Sequence, residues 1–225
     1  MTTNEKYLKP YEPKEAEEKI YKTWEESGFF NPDNLPNRQA GLPGERTEQF
    51  SIVLPPPNVT GKLHIGHANM LAIEDTIVRF QRMLGKKTLW LPGTDHAAIA
   101  TQTKVEKLLA KDGIKKHDLG RDEFLKKVNE FAMESQSNII SQTKAMGSSL
   151  DWSRLAFTLD EQRNLAVKTA FKKMYDDGLV YRGEKVINWD PKGQTVISDD
   201  EIVYEERTAV FYTFKYSSDF PIAIS

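Results

Sequence analysis

The chain contains no cysteine. That absence removes disulfide frameworks, thiolate metal sites, zinc ribbons and fingers, and any cysteine nucleophile. Histidine is scarce: His64, His67, His96 and His117 are the four in 225 residues. Neither a Gly-x-Gly-x-x-Gly fingerprint nor a Gly-x4-Gly-Lys-Ser/Thr loop occurs, so ordinary dinucleotide binding and P-loop ATPase chemistry lose ground. No apolar run reaches the ~18 residues of a membrane span, which predicts no membrane partner. The opening Met1-Thr2-Thr3-Asn4-Glu5-Lys6 has no apolar signal core, and the absence of addresses favours the cytoplasm. A net charge of −2 argues against broad nonspecific nucleic-acid binding by this segment.

What remains is long enough to bury a sizeable core, as one large domain or one domain plus pieces. The most informative stretch is Pro55-Pro56-Pro57-Asn58-Val59-Thr60-Gly61-Lys62-Leu63-His64-Ile65-Gly66-His67. Ser51-Ile52-Val53-Leu54 before it reads as a short buried strand, and a helical pattern begins near Gly66. A strand feeding a helix N-terminus through a glycine-containing turn suits phosphate, because unpaired N–H groups and the helix dipole point at one spot. Two imidazoles can add donors there. Histidines three apart can equally be metal ligands, with Asp95 or His96 completing a set, or be satisfied structurally.

Along the chain, Pro13 to Ser27 reads as a helix with Ile20, Tyr21 and Trp24 on one face and Gly28 as its stop. Asn31 to Glu48 reads as a loop. The helix from about Gly66 to Leu84 is expected to bury Leu71, Ile73, Ile77, Phe80 and Leu84. Thr88–Leu91 is a second short strand, so strand, helix and strand make a βαβ unit with a parallel sheet. Phe124, Val128, Phe131 and Ile139 mark one face of a helix between Arg121 and Met146. Thr158 and Glu161 have capping-box spacing, and Gly178 suits the end of the helix that follows. Val180 to Trp189 reads as a third strand, and Val196–Ile197, Ile202–Tyr204 and Thr208–Tyr216 as further β structure. Phe220 to Ser225 looks like a strand beginning, as if the chain were cut there. Trp24 and Trp90 sit in core-like patterns, whereas Trp152 and Trp189 lie where a pattern ends. Lys86-Lys87, Lys126-Lys127 and Lys115-Lys116-His117 read as solvated surface.

Ligands of open parallel sheets bind outside the carboxyl ends of the strands. Here those ends are Pro55–His67, Gly93–His96 and Asn188–Pro191. The first carries Pro-Pro-Pro-Asn-Val-Thr-Gly and His64-Ile65-Gly66-His67, and the second Gly93-Thr94-Asp95-His96. Asp151-Trp152-Ser153-Arg154 and Asn188-Trp189-Asp190-Pro191 follow. Together these resemble the amino-terminal part of the class I aminoacyl-tRNA synthetases, most closely the valyl branch, over nearly the whole chain.

The resemblance implies an α/β fold, the first half of a Rossmann-like parallel-sheet nucleotide-binding domain. Residues 1–48 would be an N-terminal helical extension and linker, 49–190 the half-domain, and 191–225 the base of the editing insertion. It implies a valine-tRNA ligase that makes valyl-adenylate from valine and Mg·ATP and charges tRNA(Val), as a monomer and without a protein-bound metal. His64, Gly66 and His67 would be catalytic and, with His96, ATP-binding; Pro56, Asn58 and Asp95 would bind valine. Ala98 stands where the family usually has glycine. No Lys-Met-Ser-Lys-Ser element, anticodon-binding part or editing domain is present. The isolated chain is therefore expected to bind ATP weakly and to charge tRNA poorly or not at all. A metal-dependent hydrolase using His64, His67, His96 and Asp95, and a noncatalytic synthetase-like binding fragment, stay open as alternatives.

Overall fold

The computed structural model describes residues 10–35, 38–39, 42–43, 48–210, 212–217 and 220–224. It divides into two units, Met1–Lys173 and Met174–Ser225. In the first, Pro13 opens helix α1 (Pro13–Glu26), where its missing N–H would have had no helical partner anyway. Gly28 ends the helix at φ +70°, a left-handed conformation that a side chain disfavours. The expected apolar face of α1 forms only in part. Tyr21 turns inward and donates its hydroxyl to the Ser148 carbonyl at 2.9 Å. Trp24 is 38 % exposed rather than core, and the Arg79 guanidinium lies 5.0 Å from its ring centre.

The segment expected to be loop contains a 3₁₀ turn, Pro32–Asn34, and a short antiparallel pair of strands, β1 (Arg38–Gln39) and β2 (Leu42–Pro43). The rest of that expectation, at 36–37, 40–41 and 44–47, lies outside the described residues.

The βαβ unit is present. Strand β3 (Gln49–Val53), helix α2 (Ile65–Met83) and strand β4 (Lys87–Leu91) follow in order, and β3 and β4 pair in parallel from Gln49↔Lys87 to Val53↔Leu91. After Pro92 the chain forms β5 (Gly93–Thr94), which pairs in parallel with β6 (Ala156–Phe157). Leu54, Leu71, Val78, Trp90 and Leu150 form the core of this layer. Trp90 is fully buried and donates its indole N–H to Glu74 at 3.1 Å. Burial pushes the Glu74 carboxyl above its ordinary value, and that hydrogen bond opposes the shift.

The buried face of α2 differs from expectation. Leu71 and Val78, seven residues apart, are buried, whereas Ile73, Ile77, Phe80 and Leu84 are exposed. The helix carries two apolar stripes, and the β4 layer covers only the Leu71–Val78 stripe. Periodicity alone cannot say which stripe meets the sheet.

Helices α3 (Ala98–Lys111) and α4 (Lys116–Ala145) are joined through a cluster of Val105, Leu109 and Phe124. Gly120 interrupts α4 at φ +73°, so the regular helix begins near Arg121, as the sequence indicated. Phe124 and Ile139 are buried, and Val128 and Phe131 half-buried. Helix α5 (Glu161–Asp176) is not capped by Thr158 as expected. Asp160 accepts the Arg163 N–H at 2.9 Å, because its carboxylate stands next to the helix and Thr158 still belongs to the end of β6. Backbone and side-chain hydrogen bonds from Arg163, together with one from the Phe157 N–H, hold the Asp160 carboxyl below its usual range.

Gly178, at φ +72°, closes α5, with the Leu179 N–H reaching the Met174 carbonyl at 2.9 Å. In the second unit the expected strand over 180–189 is not formed. Only β7 (Trp189–Asp190) pairs, antiparallel with β8 (Thr195–Val196). The expected β segment Ile202–Tyr204 is not formed, and of Thr208–Tyr216 residues 208–210 are not strand and 211 lies outside the described residues, while β9 (Tyr212–Ser217) pairs with β10 (Phe220–Ile224). The apolar run around Val186, which is 99 % exposed, has no neighbouring ladder to bond its backbone. No helix among the described residues is long and apolar enough to cross a membrane.

Candidate functional site

His64 and His67 sit at the first turn of α2 and cap it reciprocally. The Gly66 N–H donates to His64 Nδ1 at 3.1 Å, and the His64 N–H donates to His67 Nδ1 at 3.3 Å. The two rings lie 4.0 Å apart, centre to centre. An Nδ1 that accepts a backbone N–H is unprotonated, so in each neutral ring Nε2 carries the proton. The helix end thus fixes both histidines as Nε2–H donors. Partial desolvation, and then the neighbouring His64, lower the His67 pKa, which keeps that ring neutral.

Gly66 is dictated by the same arrangement. A Cβ there would lie 2.9 Å from His64 Cε1 and 3.0 Å from its Nδ1. The preceding loop is held on α4, where the Leu63 N–H donates to Gln142 Oε1 at 2.9 Å and Val59 packs with Ala132 and Ile139. That anchor is a residue sequence reading did not find.

The second strand end is laced to the first. The Val59 N–H donates to the Asp95 carbonyl at 2.8 Å, and the Asp95 N–H donates to the Pro57 carbonyl at 2.9 Å. Asn58 and Asp95 therefore form a parallel bridge, which sets two of the residues expected to bind valine side by side. Pro56 is exposed and borders Gly93, its Cβ 3.7 Å from the place a Gly93 Cβ would take.

Asp95 Oδ1 accepts the Ala97 N–H at 3.1 Å and the Thr158 hydroxyl at 2.9 Å. Ala97 stands at φ +42°, an unusual conformation for a residue with a Cβ, and the Asp95 bond helps hold it there. Thr158 also meets His96, through the backbone N–H at 2.9 Å and through Nδ1 at 2.5 Å. Thr158 was expected as a helix cap and is instead part of this cluster. The sequence signal available was its position straight after the apolar pair Ala156-Phe157.

Beside the β5 end stands Phe157–Thr158, at the end of its parallel partner β6, whereas Trp189–Asp190 pairs with Thr195–Val196 within the second unit. Phe157 packs with Val59 and Leu63 on α4, so one apolar cluster supports both loops. Trp152 donates its indole N–H to the Tyr21 hydroxyl at 2.7 Å and serves the attachment of α1. His117 is exposed near the start of α4, outside these clusters.

Residues 19–216 match the family described as tRNA synthetases class I (I, L, M and V). The chain belongs to that family. It is 48% identical over 209 residues to the valine–tRNA ligase of Protochlamydia amoebophila, covering 92% of this chain and 21% of that protein. It is 46% identical over 216 residues to that of Clostridium acetobutylicum, covering 96% and 24%. The chloroplastic/mitochondrial valine–tRNA ligase 2 of Arabidopsis thaliana is 52% identical over 201 residues, covering 89% and 20%. The chain thus spans between a fifth and a quarter of the length of these relatives. LeuRS of Agrobacterium radiobacter, solved as a ternary complex with tRNA and LeuAMS, matches with a TM-score of 0.68 at 22% identity, covering 86% of this chain and 21% of that one. The α/β architecture is that of a class I synthetase, the first half of its Rossmann-like fold.

The two strand ends differ in charge. The α2 end offers proton donors and the positive end of a helix dipole, and the β5 end offers a carboxylate. The metal-hydrolase alternative needs converging ligands. Among the described residues no group of three or more His, Asp or Glu side chains is placed to hold a metal ion.

Proposed function

We propose that this chain supplies one half of the active site of a valine–tRNA ligase. That enzyme joins valine to ATP as valyl-adenylate and then transfers the valyl group to tRNA(Val). The reading rests most on the reciprocal histidine cap, which presents two Nε2–H donors at a helix N-terminus. The valine–tRNA ligase relatives support the substrate.

In the activation step a valine carboxylate oxygen bonds to the α-phosphorus of ATP, and the bond from that phosphorus to the bridging oxygen of pyrophosphate breaks. No side chain needs to become covalently attached. The protein must align the reactants and stabilise charge on the phosphate oxygens. His64 and His67 donate to those oxygens through Nε2 without releasing a proton. Each charge-assisted bond contributes about 1.5–3 kcal/mol. Gly66 keeps the helix start free of a side chain for the nucleotide. The Asp95 carboxylate pairs with the valine ammonium, and Asn58 and Pro56 shape the pocket around the amino acid. Mg²⁺ arrives as part of the Mg·ATP substrate.

We assign residues 1–48 to an N-terminal helical extension and linker, 49–190 to the half-domain and 191–225 to the base of the editing insertion. Contacts to the leaving pyrophosphate and most contacts to tRNA fall to other parts of the enzyme, which acts as a monomer in the cytoplasm. Exchange of labelled pyrophosphate into ATP by the full-length protein tests the reading. It is expected to depend on valine and to far exceed the rate with leucine. No exchange with any amino acid would favour a noncatalytic binding role. Stoichiometric zinc that an amino acid-independent hydrolysis requires would favour the hydrolase.

A further inference from the structure

We infer that Thr158 is the positioning residue of the Asp95 carboxylate, and that it fixes His96 in the tautomer opposite to that of His64 and His67. The argument is a count of protons. Three polar groups meet Thr158 Oγ1: Asp95 Oδ1 at 2.9 Å, the His96 backbone N–H at 2.9 Å and His96 Nδ1 at 2.5 Å. A hydroxyl has one proton and two lone pairs. The backbone N–H occupies one lone pair, so the proton has two claimants.

Given to Nδ1, the proton would leave a hydroxyl lone pair facing an anionic carboxylate oxygen with nothing between them. Given to Asp95, it makes a charge-assisted bond, and the second lone pair accepts an Nδ1–H from His96. The second arrangement satisfies all three contacts. Asp95 Oδ1, itself 3.4 Å from His96 Nδ1, adds another acceptor facing that nitrogen. His96 is therefore Nδ1–H, and in the neutral ring its Nε2 is a bare acceptor.

Two consequences follow for the site. The Ala97 N–H and the Thr158 hydroxyl both bind Oδ1, while Oδ2 has no hydrogen-bond partner among the described residues and is left for a ligand. In the neutral ring His96 Nε2 cannot serve a phosphate oxygen, because both would be acceptors. It takes an N–H or O–H donor, so its place is beside the ammonium or a sugar hydroxyl of the substrates. The identity of those substrates rests on the proposed function; the tautomer does not. Thr101 supports the geometry by donating its hydroxyl to the His96 carbonyl at 2.7 Å, and the edge of Phe157 packs on the His96 ring.

Long-range proton–nitrogen correlation spectra of the ¹⁵N-labelled chain read the tautomers directly, well above the ordinary histidine pKa of about 6.5. The expected result is a protonated-type nitrogen at Nδ1 of His96 and at Nε2 of His64 and His67. A protonated Nε2 on His96 overturns the inference. In the full-length ligase, Thr158→Val is expected to raise the KM for valine about tenfold or more. The KM for ATP should move less than that for valine, the melting temperature should fall because the His96 N–H loses its acceptor, and Thr158→Ser should restore both the valine KM and the melting temperature. A Thr158→Val enzyme with an unchanged valine KM overturns the positioning role. If the full-length protein shows no valine-dependent exchange at all, the proposed function fails, and the spectra still decide the His96 assignment.

Discussion

The His64 ring lies against Gly66 so closely that a methyl group on Gly66 would come within 2.9 Å of the ring. This contact ties the glycine to the histidine by sterics. Gly66→Ala must push the ring away from the helix end, breaking the Gly66 N–H to Nδ1 bond. The expected outcome is a stability loss of about 1 kcal/mol. Misaimed donors should also cut pyrophosphate exchange by about a hundredfold. Thermal melting and exchange assays check the two effects separately.

The cap also predicts a pH dependence. His67 accepts the His64 N–H through Nδ1, which only the unprotonated atom can do. Burial and the neighbouring His64 hold its folded pKa below the ordinary histidine value of 6.5. A depressed pKa contributes stability that is present above the unfolded value and lost as pH falls through the folded one. The His64 amide should therefore lose hydrogen-exchange protection as pH drops below 6.5, and His67→Gln should flatten that dependence.

Tyr21 joins α1 to the rest of the first unit. Its hydroxyl donates to the Ser148 carbonyl and accepts the Trp152 indole N–H at 2.7 Å. Burial pushes its pKa up to about 12. A raised pKa adds stability below the unfolded value near 10, which fades as pH climbs toward 12. Tyr21→Phe is expected to cost about 1–2 kcal/mol at neutral pH. Denaturant melts at neutral and alkaline pH should show the wild-type advantage shrinking over that range.

The Asp75 carboxylate binds the Ser149 N–H at 3.0 Å and Arg79 Nε at 2.7 Å, and the same Arg79 reaches the Gly147 carbonyl. Asp75→Ala leaves the Ser149 N–H and the guanidinium short of an acceptor, at a cost of about 2–3 kcal/mol. Chemical denaturation should show that loss with little change in its slope.

How far the sequence could be read depended on the kind of pattern each element carried. The βαβ unit was legible because two short apolar runs flank a long helical one, and Asn58 and Asp95 were legible as residues at adjacent strand ends. Three features were not. The exposed stripe of α2 looks as apolar as the buried one, since Ile73, Ile77 and Phe80 repeat at the same helical spacing as Leu71 and Val78. The run over 180–189 has strand composition but no partner ladder. Thr158 was misread because its spacing to Glu161 imitates a helix cap, while Asp160 takes that role and β6 is only two residues long.

The most direct test of the account is pyrophosphate exchange by the full-length protein carrying His64→Ala, His67→Ala or both. Under the proposed function each histidine donates Nε2–H to the phosphate oxygens, so each single substitution should lower valine-dependent exchange about 10²-fold or more. The chain should stay folded in each case. Single and double variants that fold and exchange at the wild-type rate would contradict the assignment of this helix end as the nucleotide site.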